Sequence, residues 1–364
     1  MNEMGAQPKD SMDAGNDDTS AIYAAAGVDL DAADSAKLRI RDAARSTRGP
    51  EVLEGLGGFG GLFSINSLAL RDPVLVSSID GVGTKLKVAF AMGRHASVGS
   101  DLVAHCVDDI LVYGAKPLFF LDYLALGAMD GDQAVSVVEG VAAGCREAGC
   151  ALIGGETASM PGFYSAGEYD LAGCIVGVVE RARLVTGAAI TAGDVVVGFP
   201  SLGLHTNGYS LARYVLGLDH LDRFEPLLGR TIGEELLLPH QNYESQVRPL
   251  LEAGLVTGMA HITGGGLPGN VPRVVPPGLQ VVLDAATWDI LPIFRLIQQQ
   301  GHISWAEMVR VFNLGIGYVV FCHETDAAPA LSLATQHKAR VIGRVRSLQP
   351  GTDVAEVVVV EGLR

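Results

Sequence analysis

The sequence feature that most constrains the fold is an apolar run that ends in a polar, glycine-containing turn. The run Pro73–Ile79 is rich in β-branched residues and is typical of a buried strand. The turn Asp80–Lys85 follows it with a carboxylate, two glycines, a hydroxyl and an ammonium. Glycine lets the backbone approach a ligand closely, and a carboxylate at such a turn suits Mg²⁺ held together with a phosphate. An ordinary strand-to-helix turn with an exposed Asp fits equally well, so the other polar turns of the chain must decide.

Turns of similar chemistry recur along the chain, and each combines glycines with aromatic or polar side chains. They are Gly57–Gly61, Gly154–Thr157, His205–Ser210 and Thr263–Gly266. Backbone N–H groups of glycine clusters can converge on an anion, although the first cluster could also be a flexible hairpin. Ser, Thr and Asn before a helix can cap it or help to hold a phosphate. We also expect Asp80, Asp122 and Glu156 at or near the ends of three strands, and this recurrence favours a ligand site.

One predicted helix, at 101–113, has an unusual polar face. Asp101, His105 and Asp108 lie at i, i+4 and i+7 on one side, with Asp109 beside them. The other positions of this helix are mostly apolar, and a buried carboxylate without a partner costs free energy. The pattern therefore favours a cation-binding face over a solvated one. Asp101 could instead cap the helix, and His105 could be a core histidine.

Composition limits both the class of protein and the class of partner. With 364 residues, 48% of them hydrophobic and 18% charged, the chain is predicted to be globular and long enough for two domains. A net charge of −15 argues against nucleic acid or an anionic membrane as the main partner. The five cysteines form no C-x-x-C pair, and no apolar stretch is long enough to span a membrane. We therefore expect a cytoplasmic protein with reduced thiols.

The order of predicted strands and helices indicates an α+β protein with two domains. Residues 1–20 are polar and acidic, and we expect a disordered tail there. The pattern becomes charged and glycine-containing around residues 180–192, which places an N-terminal domain at 21–181 and a C-terminal domain at 182–364. Because strands and helices alternate, a doubly wound parallel sheet is the second possibility.

Seven ordered motifs resemble those of the phosphoribosylformylglycinamidine cyclo-ligase family, also called the aminoimidazole ribonucleotide (AIR) synthetases. The motifs are Gly57–Gly61, Asp80–Lys85, Cys106–Asp109, Lys116–Tyr123, Gly154–Thr157, His205–Ser210 and Thr263–Gly266. The resemblance extends over nearly the whole chain, from about residue 23 to residue 360. It implies a two-domain α+β fold in a homodimer, with an N-terminal α/β domain that forms a barrel across the dimer and a C-terminal α+β domain.

The resemblance also implies a reaction and its cofactors, ATP and Mg²⁺. ATP phosphorylates the formyl amide oxygen of formylglycinamidine ribonucleotide, and an amidine-side nitrogen then closes the imidazole ring of 5-aminoimidazole ribonucleotide. ADP and phosphate are released. Since phosphate is a far better leaving group than an amide oxygen, the protein mainly has to position the substrates and neutralise phosphate charge.

Position by position, the resemblance implies the roles of individual residues. Asp80, Asp109 and Glu156 would hold Mg²⁺ and the triphosphate. The residues expected to contact the nucleotide are Gly57, Gly58, Phe59, Gly60, Gly61, Gly81, Gly83, Thr84, Lys85, Thr157, Gly264 and Gly265. The expected catalytic residues are His205, Lys85 and Asn207, with His205 as the candidate acid or base.

Several positions depart from the usual pattern of that family. Ile79 stands where Thr is usual, Asp108 replaces Asn, Ser159 replaces Glu and Leu202 replaces Ser. None of these changes removes an expected principal ligand, although Asp108 adds negative charge to the metal face. Two alternatives remain: another ATP-using enzyme of the superfamily, such as a thiamine-monophosphate kinase, and a nucleotide-binding protein without catalysis.

Overall fold

The computed structural model describes residues 30–53, 60–127, 130–349 and 357–363. The predicted tail at 1–20 and the first part of the glycine loop, Gly57 to Phe59, lie outside the described residues. Within them the strands are β1 (Pro73–Gly81), β2 (Lys116–Leu126), β3 (Ala151–Ser159), β4 (Tyr169–Glu180), β5 (Val195–Pro200), β6 (Phe224–Glu225), β7 (Arg230–Thr231), β8 (Gly258–His261), β9 (Leu279–Asp284), β10 (Ile316–Cys322), β11 (Arg340–Ser347) and β12 (Val358–Glu361).

The α-helices of the described residues alternate with these strands, and short 3₁₀ turns, such as Gly83–Lys85, connect some of them. The helices are α1 (Leu30–Arg45), α2 (Leu86–Met92), α3 (Ala96–Leu111), α4 (Gly131–Ala148), α5 (Tyr209–Leu216), α6 (Ile232–Leu236), α7 (Glu244–Glu252), α8 (Gly266–Asn270), α9 (Pro292–Gly301), α10 (Trp305–Val311) and α11 (Ala327–Leu333).

The first sheet is a half-barrel with one covered face and one open face. Its strand order is β1-β4-β2-β3, and only the β2–β3 pair is parallel. Helices α3 and α4 pack on the covered face. The open face carries large apolar side chains, among them Leu75, Ile79 and Tyr123, which are exposed. An antiparallel sheet can leave one face uncovered in this way, and the alternating exposure along β1 follows from the strand period of two.

The second sheet is buried on both faces. Its order is β12-β9-β11-β5-β10-β8, and among the described strands of this sheet only the β12–β9 pair is parallel. Strands β5 and β10 lie inside this sheet, and every residue of β10 is buried. Apolar side chains of α8 cover one face and those of α7 and α11 cover the other.

Helix α3 joins the two sheets. The carboxylate of Asp101 accepts a hydrogen bond from the backbone N–H of His240 (2.7 Å), and that of Asp108 accepts one from the backbone N–H of Tyr243 (2.8 Å). Both carboxylates are fully buried. The polar face that the sequence predicts on this helix therefore holds segment 240–243 of the C-terminal half, and the solvated alternative is wrong for these two residues.

The α+β prediction is confirmed, and the doubly wound parallel sheet is wrong because both sheets are mostly antiparallel. The helix predicted at 101–113 begins earlier, at Ala96, so Asp101 lies inside the helix and does not cap it. The boundary predicted at 181/182 stays a prediction; the last strand of the first sheet ends at Glu180 and the second sheet starts at Val195. In the described part of the chain, no helix combines the length and the apolar character needed to cross a membrane.

Candidate active site

Two of the predicted turns meet at the junction between the sheets. Thr84 Oγ1 lies 3.2 Å from Ser210 Oγ, and Lys85 Nζ donates a hydrogen bond to the backbone carbonyl of His205 (3.2 Å). Gly83 adopts a φ of +68°, and a Cβ built there would meet no atom within 4 Å. The turn Asp80–Lys85 thus presents open space beside the loop His205–Ser210, as a ligand site requires.

Asp80 and Asp109 form a carboxylate pair at this junction. Ser78 Oγ donates to Asp109 Oδ2 (3.0 Å) and lies 3.4 Å from Asp80 Oδ2, so this hydroxyl bridges the two carboxyl groups. The Nδ1–H of His261 donates to Asp109 Oδ1 (2.8 Å). His105 Nε2 lies 3.6 Å from Asp80 Oδ1.

The protonation of this pair follows from its surroundings. Burial, followed by the hydrogen bond and the charge of Asp109, raises the pKa of Asp80 to about 7. Burial acts to raise the pKa of Asp109 too, but the hydrogen bond and charge of His261 and the charge of His105 outweigh it and lower that pKa below its usual range. Near neutral pH the pair therefore shares about one proton. A site that holds a proton between two carboxylates is short of positive charge, and these oxygen ligands fit Mg²⁺.

Glu156, the third expected metal ligand, does not join this pair. Asp80 of β1 is paired with Gly173 of β4. In turn, Gly173 is paired with Asp122 of β2, and Asp122 is paired with Gly155 of β3. Three strand spacings separate β1 from β3, which amounts to about 14 Å. Side chains alternate along a strand, so Glu156 points to the open face while Asp80 points to the covered one. Within one chain, Glu156 cannot ligate the same ion as Asp80.

Two further predicted residues lie on the covered face of the first sheet. We expect Asp122 and Glu156 near strand ends, but the structure places them inside β2 and β3, and the predicted turn Gly154–Thr157 is part of β3. Burial raises its pKa to about 7, and a Cβ at Gly155 would collide with its carboxylate. Thr157 follows two residues after Gly155 on β3 and shares this face.

Lys85 is buried and has three partners. Its ammonium forms an ion pair with Asp101 (2.7 Å), and both side chains are 0% exposed. It also donates to the backbone carbonyls of Leu238 (2.7 Å) and His205. The structure therefore directs Lys85 into the protein, whereas the sequence predicts a contact with phosphate oxygens.

His205 has a strained backbone and an unsatisfied side chain. Its φ is +63°, which is uncommon for a residue with a Cβ. The ring is 1% exposed and stacks on His240, with ring centroids 4.2 Å apart. Burial, helped by the charges of His261, Lys85 and His105, lowers the pKa of His205 well below its usual value, so the ring is neutral near pH 7. A Cβ at Gly317 would collide with this ring, and hence β10 needs glycine there.

The loop Thr263–Gly266 is held by a residue that sequence analysis missed. The amide of Asn270 donates to the carbonyls of Thr263 (3.2 Å), Gly264 (3.2 Å) and Gly266 (2.8 Å). Gly265 adopts a φ of +97°, which glycine tolerates. A Cβ at Gly264 would lie 3.3 Å from Asn207 Oδ1, so this loop and the predicted catalytic Asn207 are neighbours.

The glycine loop predicted at 57–61 is described only at its end. Gly60 is exposed, and a Cβ at Gly61 would lie 2.7 Å from Ile153 Cδ1, so this end of the loop approaches β3. Sequence analysis also missed His240 and Tyr243. Both follow Pro239 in a stretch without glycines or a motif, and only the run of polar residues at 240–243 hints at a polar role.

Both halves of the chain match known protein families. Residues 67–179 match the N-terminal domain of the AIR synthase related proteins, and residues 191–352 match their C-terminal domain. The phosphoribosylformylglycinamidine cyclo-ligase of Anaeromyxobacter sp. (strain K) is 52% identical over 345 residues, which cover 93% of this chain and 99% of that protein. The enzyme of the same name from Desulfitobacterium hafniense (strain DSM 10664 / DCB-2) is 50% identical over 331 residues, or 90% and 98% of the two chains.

Solved structures share the fold at much lower identity. Thiamine-monophosphate kinase from Stenotrophomonas maltophilia K279a superposes with a TM-score of 0.67 at 18% identity, covering 89% of this chain and 96% of the kinase. The hydrogenase maturation protein HypE in complex with ATP gives a TM-score of 0.62 at 17% identity, with 87% and 88% covered. These likenesses concern the fold alone. The identity to the curated enzymes over nine tenths of the sequence decides the family, and the chain belongs to the phosphoribosylformylglycinamidine cyclo-ligases.

Proposed function

We propose that this chain cyclises formylglycinamidine ribonucleotide to 5-aminoimidazole ribonucleotide with ATP, and releases ADP and phosphate. The observation that carries the proposal is the identity of about one half to cyclo-ligases over more than nine tenths of the chain. The meeting of the turn Asp80–Lys85 with the loop His205–Ser210 supports it, because a phosphoryl transfer needs a charged pocket next to the acceptor.

The nucleotide end of the site is formed by the first of these turns. The oxygens of Asp80 and Asp109 would hold Mg²⁺ in place of their shared proton, and the bound ion would neutralise charge on the triphosphate. His261 keeps Asp109 ionised and Ser78 orients both carboxylates. Thr84 and the backbone at Gly83 face the open space and would contact phosphate oxygens. The other proposed nucleotide contacts are Gly57, Gly58, Phe59, Gly60, Gly61, Gly81, Thr157, Gly264 and Gly265.

Lys85 takes part indirectly in this proposal. Its ion pair with Asp101 and its hydrogen bond to the backbone of His205 tie the nucleotide turn to the substrate loop. Lys85 would thus position the two halves of the site. Glu156 faces the open side of the first sheet and would act there, away from the pair of Asp80 and Asp109.

The substrate end contains His205 and Asn207. In the structure both ring nitrogens of His205 lack a hydrogen-bond partner among the described residues, and the ring is neutral. A neutral imidazole can accept the proton that the amidine-side nitrogen loses as the ring closes. The low pKa makes it a weak base, and a ribonucleotide phosphate placed nearby would raise that pKa and strengthen it.

A homodimer is part of the same proposal. The exposed apolar side chains on the open face of the half-barrel form the kind of surface that a second copy of the chain would cover. Closing two half-barrels against each other would bury this face.

The first test is product formation from formylglycinamidine ribonucleotide and MgATP. We expect equal amounts of ADP and 5-aminoimidazole ribonucleotide, the latter measured as its coloured diazo adduct. Asp80→Asn should lose this activity, while the exposed control Asp219→Asn should keep it. A stably phosphorylated ribonucleotide without ring closure would support a kinase, and ATP binding without ADP release would support a non-catalytic protein.

A further inference from the structure

Four of the nine histidines of the chain meet at the junction of the two sheets. They are His105 from α3 and His205, His240 and His261 from the C-terminal half. The rings of His105 and His261 each lie 5.2 Å from that of His240, and the ring of His205 stacks on it. All four residues are buried. Neither the nucleotide site nor the proposed chemistry uses His240.

The rings of His240 and His261 are oriented with their Nε2 atoms facing each other at 3.1 Å. The outer nitrogen of each ring has a partner of its own: His261 Nδ1 bonds to Asp109, and His240 Nδ1 lies 3.2 Å from Thr206 Oγ1. Metal-binding histidines are typically fixed in this way, with the second nitrogen bonded to a carboxylate or another polar group.

Two more buried groups that could ligate a metal lie next to this pair, and their polar atoms have no hydrogen-bond partner among the described residues. One is the ring of His205, on both nitrogens, and the other is Asp108 Oδ2, which lies 3.4 Å from His240 Nε2. Ligand atoms of His205, His240 and His261 all lie within 4.8 Å of one another. A proton shared by His240 and His261 would account for their own contact, but it would leave His205 and Asp108 unsatisfied, and such groups are costly in a protein interior.

We propose that His205, His240, His261 and Asp108 form a binding site for one Zn²⁺ ion. Zinc is held at about 2.0–2.1 Å by nitrogen in a tetrahedron, so its ligands lie about 3.4 Å apart. His240 Nε2 lies 3.1 Å from His261 Nε2 and 3.4 Å from Asp108 Oδ2, and both distances are close to this separation between ligands. His205 has to move closer, and so does Asp108 Oδ2, because only the three histidines have ligand atoms that all lie within 4.8 Å of one another.

The donor set separates this site from the magnesium site. Imidazole nitrogens select zinc and neighbouring transition metals, whereas Mg²⁺ prefers the carboxylate oxygens of Asp80 and Asp109. Four protein ligands, all buried, leave no open position for a reacting water, which is the pattern of a structural site. Because a zinc-bound His205 could not accept the proton released in ring closure, the ion belongs to the protein without substrate, where it would join Asp108 of α3 to the C-terminal half.

A second group of donors, His105, Asp109 and His261, lies close enough to compete for a metal. Its members have partners already: His105 Nδ1 lies 2.7 Å from Thr206 Oγ1, and Asp109 is bonded to Ser78 and His261. The unsatisfied donors belong to the first group, and the geometry therefore favours the site around His240.

Cobalt is a suitable probe, because Co²⁺ takes zinc sites and its visible spectrum reports geometry. We expect the full-length protein, without nucleotide, to bind one equivalent of Co²⁺ with an intense tetrahedral spectrum that Zn²⁺ abolishes. His240→Gln should lose this spectrum, and Asp108→Asn should weaken binding by about 100-fold or more, since even outer-shell changes cost 10–100-fold. His105→Gln and the exposed control His220→Gln should bind as the unmodified chain does.

Circular dichroism of each variant separates loss of the site from loss of the fold. If His240→Gln does not fold, Asp108→Asn decides, because Asn keeps the shape of the side chain and removes one charged oxygen. Zn²⁺ should also raise the midpoint of thermal unfolding of the unmodified chain, and much less that of Asp108→Asn. Absence of bound cobalt, loss of binding in His105→Gln, a sulfur-to-cobalt charge-transfer band or unchanged binding in Asp108→Asn would each overturn the proposal. None of these readouts depends on turnover of ATP.

Discussion

At the scale of single residues, the chain buries acidic groups where a cation or a proton must accompany them. Asp80 and Asp122 both have a pKa raised to about 7, chiefly by burial. For Asp80 the neighbouring Asp109 adds to this effect, and the pair suits a metal ion. Among the described residues, Asp122 has no second carboxylate within hydrogen-bond distance. The effect of its burial on the free energy of unfolding is therefore easier to measure than that of Asp80.

Replacing Asp122 by Asn should change how stability depends on pH. The folded chain keeps a proton on Asp122 between about pH 4 and 7, where the unfolded chain has lost it, so the free energy of unfolding falls as the pH rises through this window. Asn has nearly the same shape and does not titrate. The stability of Asp122→Asn relative to the unmodified chain should thus rise by about 2–3 kcal/mol from pH 5 to pH 8, measured by urea unfolding. The exposed control Asp219→Asn should show no such trend, and equal differences at both pH values would contradict the assignment.

At the scale of elements, the sequence predicts where helices and strands lie better than it predicts which residues their side chains contact. The period of the helix that carries Asp101, His105 and Asp108 correctly predicts a shared polar face. The β-branched run predicts the strand β1, but the expected burial of this strand is wrong, because every second residue is exposed. The partners of that face are not predictable locally, because His240 and Tyr243 follow it by more than 130 residues and belong to no motif. Asp80 and Glu156 were grouped by their similar turns, but only the strand order shows that they lie on opposite faces.

The ion pair between Lys85 and Asp101 of α3 should contribute more to the stability of the fold than to the affinity for ATP. Lys85→Met leaves the buried carboxylate of Asp101 without a cation, and such a change costs about 3–5 kcal/mol. Lys85→Met combined with Asp101→Asn should recover most of the loss, because Asn still accepts the N–H of His240. Urea unfolding of the four proteins measures this coupling. Unchanged stability of Lys85→Met together with a large loss of ATP affinity would instead assign Lys85 to the phosphates.

At the scale of the whole molecule, the open face of the half-barrel predicts the assembly. Leu75 is 64% exposed on that face, so Leu75→Asp should place a charge inside the proposed dimer contact and shift the protein towards monomer. Tyr214→Asp is a matched control, because Tyr214 is 88% exposed on α5 of the C-terminal half. Sedimentation velocity at several concentrations distinguishes the two variants. A monomeric unmodified chain, or a dimer that tolerates Leu75→Asp, would contradict the arrangement.

The apolar contacts across the junction have a consequence for how the chain unfolds. One buried cluster contains Leu86 and Val88 of α2 together with Leu204 and Tyr209 of the C-terminal half, and another includes Leu111 at the end of α3 with Tyr243 and Val320. A cut near residue 181 would expose these surfaces on both fragments. The two sequence domains are therefore halves of one cooperative unit, and neither half is suited to be expressed, evolved or exchanged as an independent module.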